Sequence, residues 1–314
     1  MSISDMPWGI TLWLDLWCVG IASGAFMNAF VIDKLSSGTQ RNLFRFAVLS
    51  GLVFAFIGVI LLLSHLGHIL WFWHMFVTIR PQSVLSLGGW ILSLWLAVAG
   101  IMAVLWVVEH YISNNILVKK INGVLSWVGF ALSILLITYG GVLIATTNQP
   151  LWANTLLLPS LFIGSALCTS VAWLIILSYI VNWLGNKNIK PLDWLITRFT
   201  DSSDYTINNN VVARLIKALF VYLVIEIVIL AAFMVWLWFT AESAFTQLVF
   251  GEMAVYFWAG LVALGLVLPL ALLGINRCRN KLMQIPPALA ISSAGLAFIG
   301  GLVLRAVLLV SAQL

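Results

Sequence analysis

The chain has 314 residues, of which 63% are hydrophobic and only 8% charged, with a formal net charge of +5. A soluble domain carries about a quarter of its residues as charged side chains, so this composition excludes a water-soluble globular protein and makes lipid the solvent. The positive balance does not imply nucleic acid, because the basic residues gather in the short stretches between apolar runs.

A helix needs about 20 apolar residues to cross the roughly 30 Å hydrocarbon core. Runs of that kind fall at 8–32, 43–70, 87–112, 121–147, 155–183, 211–239, 248–274 and 286–313. They predict an all-α integral membrane protein with eight transmembrane helices. The leading "MSISDMPWG" has an acid and no Lys or Arg, and the first run is too long for a signal peptide, so it reads as a retained span. This run carries Asp15 and Cys18. The second ends in "LLLSHLGHILWFWH", which holds His65, His68 and His74. The stretch 71–86, with Pro81 and several aromatics, is expected along the membrane interface. The third run ends with Glu109 and His110, and the fourth contains Tyr139. The polar stretch 184–210, with "TDSSDYTINNN", reads as an exposed connection. Glu226 falls near the middle of the sixth run, Glu252 near the start of the seventh, and Arg305 inside the eighth.

Cys18, Cys168 and Cys278 are far apart and form no C-x-x-C pair, so they read as thiols and no metal site is expected. Most of the 16 tryptophans, Trp71, Trp73, Trp152 and Trp258 among them, are expected in the interfacial belt.

Charge sets the orientation. The connections after runs one, three, five and seven, with their flanks, hold Lys34, Arg41, Arg45, Lys119, Lys120, Lys187, Lys190, Arg198, Arg214, Lys217, Arg277, Arg279 and Lys281, which is 13 of 15 basic residues. Arg80 and Arg305 are the other two. The positive-inside rule places those connections in the cytoplasm and both termini on the outer, periplasmic side of the inner membrane.

Ionisable groups in hydrocarbon are costly and mark sites or pathways. At about 1.5 Å per residue, Asp15, His65, Tyr139 and Arg305 share a layer near the outer face, while Glu226 lies deeper. Asp15 and Arg305 are also able to form a structural bridge, His68 to face interfacial water, and Tyr139 to serve packing. A quinone needs hydrogen-bond donors to its carbonyls and groups that exchange protons, and a histidine and a carboxylate suit that work. Haem is disfavoured, because bis-histidine ligation needs opposed histidines at one depth. His65 and His68 share a helix, His74 follows it, and His110 lies at the opposite face.

Several stretches together resemble the NrfD/PsrC family of membrane subunits from nitrite, polysulfide and related respiratory reductases. "WCVGIASGAF" in run one is similar to the family's aromatic–glycine–small–Gly segment. "SHLGHILWFWHMFVTIRPQSVLSLGGWILSLW" looks like its (D/H)LG…P…S.MS.G.W stretch, and "ITYGGVLIATTNQPLW" like its Y-(T/S)-G-x-L…P-x-W motif, with Gly140 in the threonine position. "YFWAGLVALGLVLPL" and "IGGLVLRAVLLVSAQL" resemble its last two helices. The resemblance implies two four-helix bundles, residues 1–147 with the quinone site and 148–314 as the second bundle, without haem, iron–sulfur cluster or metal. It also implies an iron–sulfur ferredoxin-like partner at the periplasmic face, linked to a molybdopterin or multihaem cytochrome subunit.

The resulting expectation is a quinol-binding membrane anchor, not catalytic alone toward the terminal substrate, that exchanges electrons between menaquinone or ubiquinone and the partner. His65 with Asp15 takes the protons, Tyr139 bonds a ring carbonyl, His68 shapes the mouth, Arg305 stabilises charge, and Glu226 offers a proton route. The rivals are an ion-coupled secondary transporter, which predicts matched broken helices in the two halves, and a purely structural anchor.

Overall fold

The computed structural model describes residues 9–36, 38, 40–65, 83–111, 116–147, 149, 151–152, 155–187, 196–200, 205–278 and 286–313. Among them there are helices and turns and no strands, as lipid requires of a backbone that must satisfy its own hydrogen bonds. The order is α1 (Ile10–Leu35), α2 (Arg41–His65), α3 (Val84–Tyr111), α4 (Ile116–Ala145), α5 (Leu157–Lys187), α6 (Asn209–Thr240), a short α7 (Glu242–Phe250), a π-helix (Tyr256–Val267), α8 (Leu268–Cys278) and α9 (Pro287–Ser311). Among the described residues eight helices are long and apolar enough to cross a membrane, the π-helix and α8 together making the seventh.

Buried share separates inner from outer helices. It is 67%, 67% and 61% for the most apolar windows of α1, α5 and α9, and no more than 44% for the other five. The three inner helices touch one another along their lengths. Around them α2 packs on α1, α3 on α2 and α4, and α4 on α1 and α5, while α6 packs on α5 and the π-helix with α8 packs on α9. An even number of crossings leaves α1 beginning and α9 finishing at the same end, the termini end. The opposite end, where α1 meets α2 and α3 approaches α4, is the basic end.

Local chemistry ends the helices where the apolar runs stop. After α1 the chain reverses at Gly38, whose φ of 77° suits glycine and whose N–H donates to the Asp33 carbonyl at 2.9 Å. The Asn208 side chain caps α6 by accepting from the Asn210 N–H at 2.9 Å.

The structure departs from expectation in four places. α4 begins at Ile116 rather than 121 and so includes Lys119 and Lys120, whose long stems let a helix run past the hydrocarbon edge. The run 248–274 is not one helix. Gly251 leaves helical geometry (φ −77°, ψ −167°) and stops α7, and the chain then re-enters as the π-helix. The connection 184–210 is not simply exposed: Thr200, Tyr205 and Ile207 are buried, and Asn182 bonds the Ile207 backbone both as donor (3.0 Å) and as acceptor (2.7 Å). Trp152 is not interfacial, being 1% exposed and donating from Nε1 to the Leu308 carbonyl of α9 at 2.9 Å. Of the expected interfacial stretch 71–86, residues 71–82, with Trp71, Trp73, His74 and Pro81, lie outside the described residues, and 84–86 are already the start of α3.

A buried aromatic layer links α1, α2 and α3 toward the basic end. Phe26 meets Phe44 at 5.1 Å and Trp95 at 5.9 Å between ring centroids, and Phe44 meets Trp106 at 6.2 Å. Met102 fills the remaining space, and Trp95 Nε1 donates to Ser133 Oγ at 2.8 Å.

Candidate functional site

At the termini end α1 places Asp15 one turn into the bundle, where it is 6% exposed. Its Oδ1 has no hydrogen-bond partner among the described residues. The carboxylate reaches across to α2 and lies so close to Gly58 that a Cβ there would stand 2.8 Å from Oδ1. A residue with a side chain at 58 would push the carboxylate away. Tyr139 comes from the facing end of α4, and its ring rests directly on the backbone of Gly88 in α3. Small residues on α2 and α3 thus make room for the polar groups of α1 and α4.

Asp15 and Tyr139 line one small cavity, with Leu62, Gly88 and Leu136 among its walls, of about 10 Å³. A second cavity, also about 10 Å³, lies on the other side of Tyr139 and is bounded by Gly140, Phe162 and Arg305. Each has room for about one water molecule. Gly140, in the position where a threonine was expected, leaves this second cavity open; a Cβ there would meet Leu16 Cδ2 at 3.2 Å.

Arg305 is 1% exposed. Its guanidinium does not bridge to Asp15. Nη1 donates to the Gly301 carbonyl at 2.7 Å and to Ser165 Oγ at 3.4 Å, and the group lies 5.7 Å from the Phe162 ring centroid. Gly20 of α1 gives it room, since a Cβ at 20 would stand 2.9 Å from Nη2. Glu226, on α6, faces the Ser165 and Cys168 side chains of α5 and feels the Arg305 charge. Ser165 therefore stands between the Arg305 and Glu226 side chains. The neighbours of this mid-membrane carboxylate come from other helices.

One turn before Glu226, Tyr222 donates to Asn28 Oδ1 at 3.0 Å, and Asn28 Nδ2 donates to Ser170 Oγ and to the Gly24 carbonyl, both at 3.0 Å. A polar file thus follows the α1–α5–α6 seam from Arg305 toward the basic end. Sequence reasoning missed Asn28, although an asparagine inside an apolar run is a visible signal.

Of the expected site residues, Asp15, Tyr139 and Arg305 come together around two adjoining cavities, and Ser165 stands between Glu226 and Arg305. His65 is the last residue of α2, one turn beyond Leu62, and its side chain lies outside the described residues, as does all of His68. Among the described residues no group of three or more His, Cys, Asp or Glu could hold a metal ion.

Known proteins are similar to this chain in sequence. The profile of the family described as polysulphide reductase, NrfD matches residues 2–314. The protein NrfD of Escherichia coli is 25% identical over 333 aligned positions, covering 98% of this chain and 94% of its own. The protein NrfD homolog of Haemophilus influenzae is 27% identical over 187 positions, covering 54% of this chain and 58% of its own, so that alignment spans little more than half of either. With a family match from the second residue to the last, on eight apolar helices, the chain belongs to the polysulphide reductase NrfD family.

Proposed function

We propose that the protein is the quinol-binding membrane anchor of a respiratory oxidoreductase complex in the inner membrane. It exchanges electrons between menaquinol or ubiquinol and an iron–sulfur, ferredoxin-like subunit docked at the periplasmic face, which serves a molybdopterin or multihaem cytochrome subunit. Its helices are read as two four-helix bundles, α1–α4 and α5–α9, with both termini outside.

The observation that carries this reading is the buried, unpartnered Asp15 Oδ1 beside Tyr139. A polar group buried without a partner costs about 1–3 kcal/mol, so this oxygen calls for a donor, and a quinol hydroxyl is one. The donors and acceptors fit a quinone. The closed volume does not, since about 10 Å³ admits a water and not a ring. Binding therefore requires side chains around Tyr139 and Gly88 to yield. When bound, the quinone supplies the two-electron chemistry. Asp15 and His65 accept protons, Tyr139 donates to a ring oxygen, His68 shapes the mouth, and Arg305 offsets negative charge. The file Arg305–Ser165–Glu226, continued by Tyr222, Asn28 and Ser170, supports a proton route through the second bundle along its seam with α1.

The test is oxidation of a soluble quinol analogue by the purified complex carrying Asp15→Asn, His65→Ala or Tyr139→Phe. Each is expected to lose at least about tenfold in rate, the equivalent of one hydrogen bond of moderate strength. Undiminished rates in all three would overturn the site. The transporter rival is disfavoured by the helices themselves: the described residues hold a π-helix in the second half and no counterpart in the first.

A further inference from the structure

A cavity far larger than the two beside Tyr139 lies at the other end of α1–α4. At the basic end the last turn of α1, the first of α2, the last of α3 and the first of α4 surround a basin of about 320 Å³. Its rim carries Lys34, Arg41 and Lys119, all on exposed positions. Arg45 and Glu109 are engaged with each other at 3.0 Å. Inside the basin two groups stand out. Asp33 is 8% exposed and its Oδ1 has no partner among the described residues; Asn122 has both side-chain Oδ1 and Nδ2 buried and likewise unpartnered.

Buried polar atoms without partners are expensive, and these three lie beside a rim of basic side chains. Phe44, Met102 and Trp106 line its inner side, and the Phe26 ring packs against both Phe44 and Trp95 behind them. The basin lies at the layer of helix ends.

We propose that this basin binds a phosphate group carrying an adjacent N–H or O–H donor, the chemistry of a phosphatidylethanolamine or phosphatidylglycerol headgroup and of free hydrogen phosphate. The phosphate oxygens lie under Lys34, Arg41 and Lys119, with Asn122 Nδ2 donating to one of them. The donor on the arm meets Asp33 Oδ1 and Asn122 Oδ1. Lys34, Arg41 and Lys119 on the rim and the Asp33 carboxylate within suit an anion with a positive or hydroxylated arm better than a bare dianion.

The experiment uses the full chain, purified in detergent and stripped of lipid by repeated exchange. Native mass spectrometry and thermal unfolding are recorded with phosphatidylethanolamine, with phosphatidylcholine of the same acyl chains, and with inorganic phosphate. Phosphatidylethanolamine is expected as a one-to-one adduct that raises the unfolding midpoint. Phosphatidylcholine, whose quaternary nitrogen has no N–H, is expected to bind about tenfold more weakly, the worth of one hydrogen bond. Asn122→Leu and Lys119→Ala weaken the adduct, and Lys217→Ala, on exposed α6, leaves it unchanged. Protection by inorganic phosphate that Asn122→Leu abolishes upholds the pocket and makes its ligand the soluble ion. Equal binding of the two lipids by the wild-type chain, or no binding of lipid or phosphate at all, overturns the proposal without touching the quinol site.

Discussion

Arg45 on α2 holds Glu109 on α3 at 3.0 Å, with side chains only 5% and 11% exposed, and its other terminal nitrogen donates to the Phe199 carbonyl at 2.9 Å. The Trp106 ring lies 5.4 Å from the guanidinium carbon. One arginine thus ties α2, α3 and the segment ahead of α6 together at the basic end.

Removing one partner of a buried pair strands the other charge and costs about 3–5 kcal/mol, while replacing both with apolar residues is close to neutral. Arg45→Met and Glu109→Leu singly should lower the thermal unfolding midpoint in detergent, and the double variant should recover most of the loss. Additive losses in the double variant would show that the two side chains are not coupled.

At the termini end the Tyr139 ring occupies the space a Gly88 side chain would need. Gly88→Ala should therefore cost about 1–3 kcal/mol by overpacking and shift Tyr139 off its seat. Gly88→Ala combined with Tyr139→Leu should be more stable than Gly88→Ala alone, as measured by unfolding midpoints.

Beside the aromatic layer Ser133 Oγ accepts from Trp95 and donates to the Gly129 carbonyl at 2.7 Å. Ser133→Ala leaves the Trp95 N–H buried and unpaired, at a cost of about 1–3 kcal/mol. Adding Trp95→Phe removes the stranded donor, so the pair of changes should cost less than the sum of its parts.

Thirteen of 15 basic residues on alternate connections predict a definite topology. Alkaline phosphatase fused after the last residue should be active, and the same reporter inserted between α3 and α4 should be inactive. The reverse pattern would invert the orientation and remove the periplasmic docking face.

Most of the architecture was legible because lipid imposes one rule on every residue of a span: eight apolar runs became eight apolar helices. Where a run concealed a break, as at Gly251, hydropathy carried no signal, because the interruption lies in backbone geometry and not in polarity. Asp15, Tyr139, Glu226 and Arg305 were legible as charges and hydroxyls out of place, yet the side chains around them were not. Ser165 and Cys168 look unremarkable in sequence and acquire meaning only when α5 turns them toward Glu226. The basin around Asp33 and Asn122 was invisible for a related reason: its walls come from four helix ends spread over some ninety residues. Trp152 misled, since the same indole that floats at an interface also serves as a buried donor when a carbonyl is within reach.

The π-helix Tyr256–Val267 runs directly into Leu268 and Pro269 and rests on α9, where Gly265 and Gly300 meet backbone to backbone. Each of its rings closes with one residue more than an α-helical ring. It therefore stores slack: losing a residue there tightens the winding and leaves the following turns facing as before. The same loss in α1 or α5 would swing everything beyond it by about 100°, turning Asp15 or Ser165 out of place. Chain length is free to drift in the seventh span while the register of the inner helices is held.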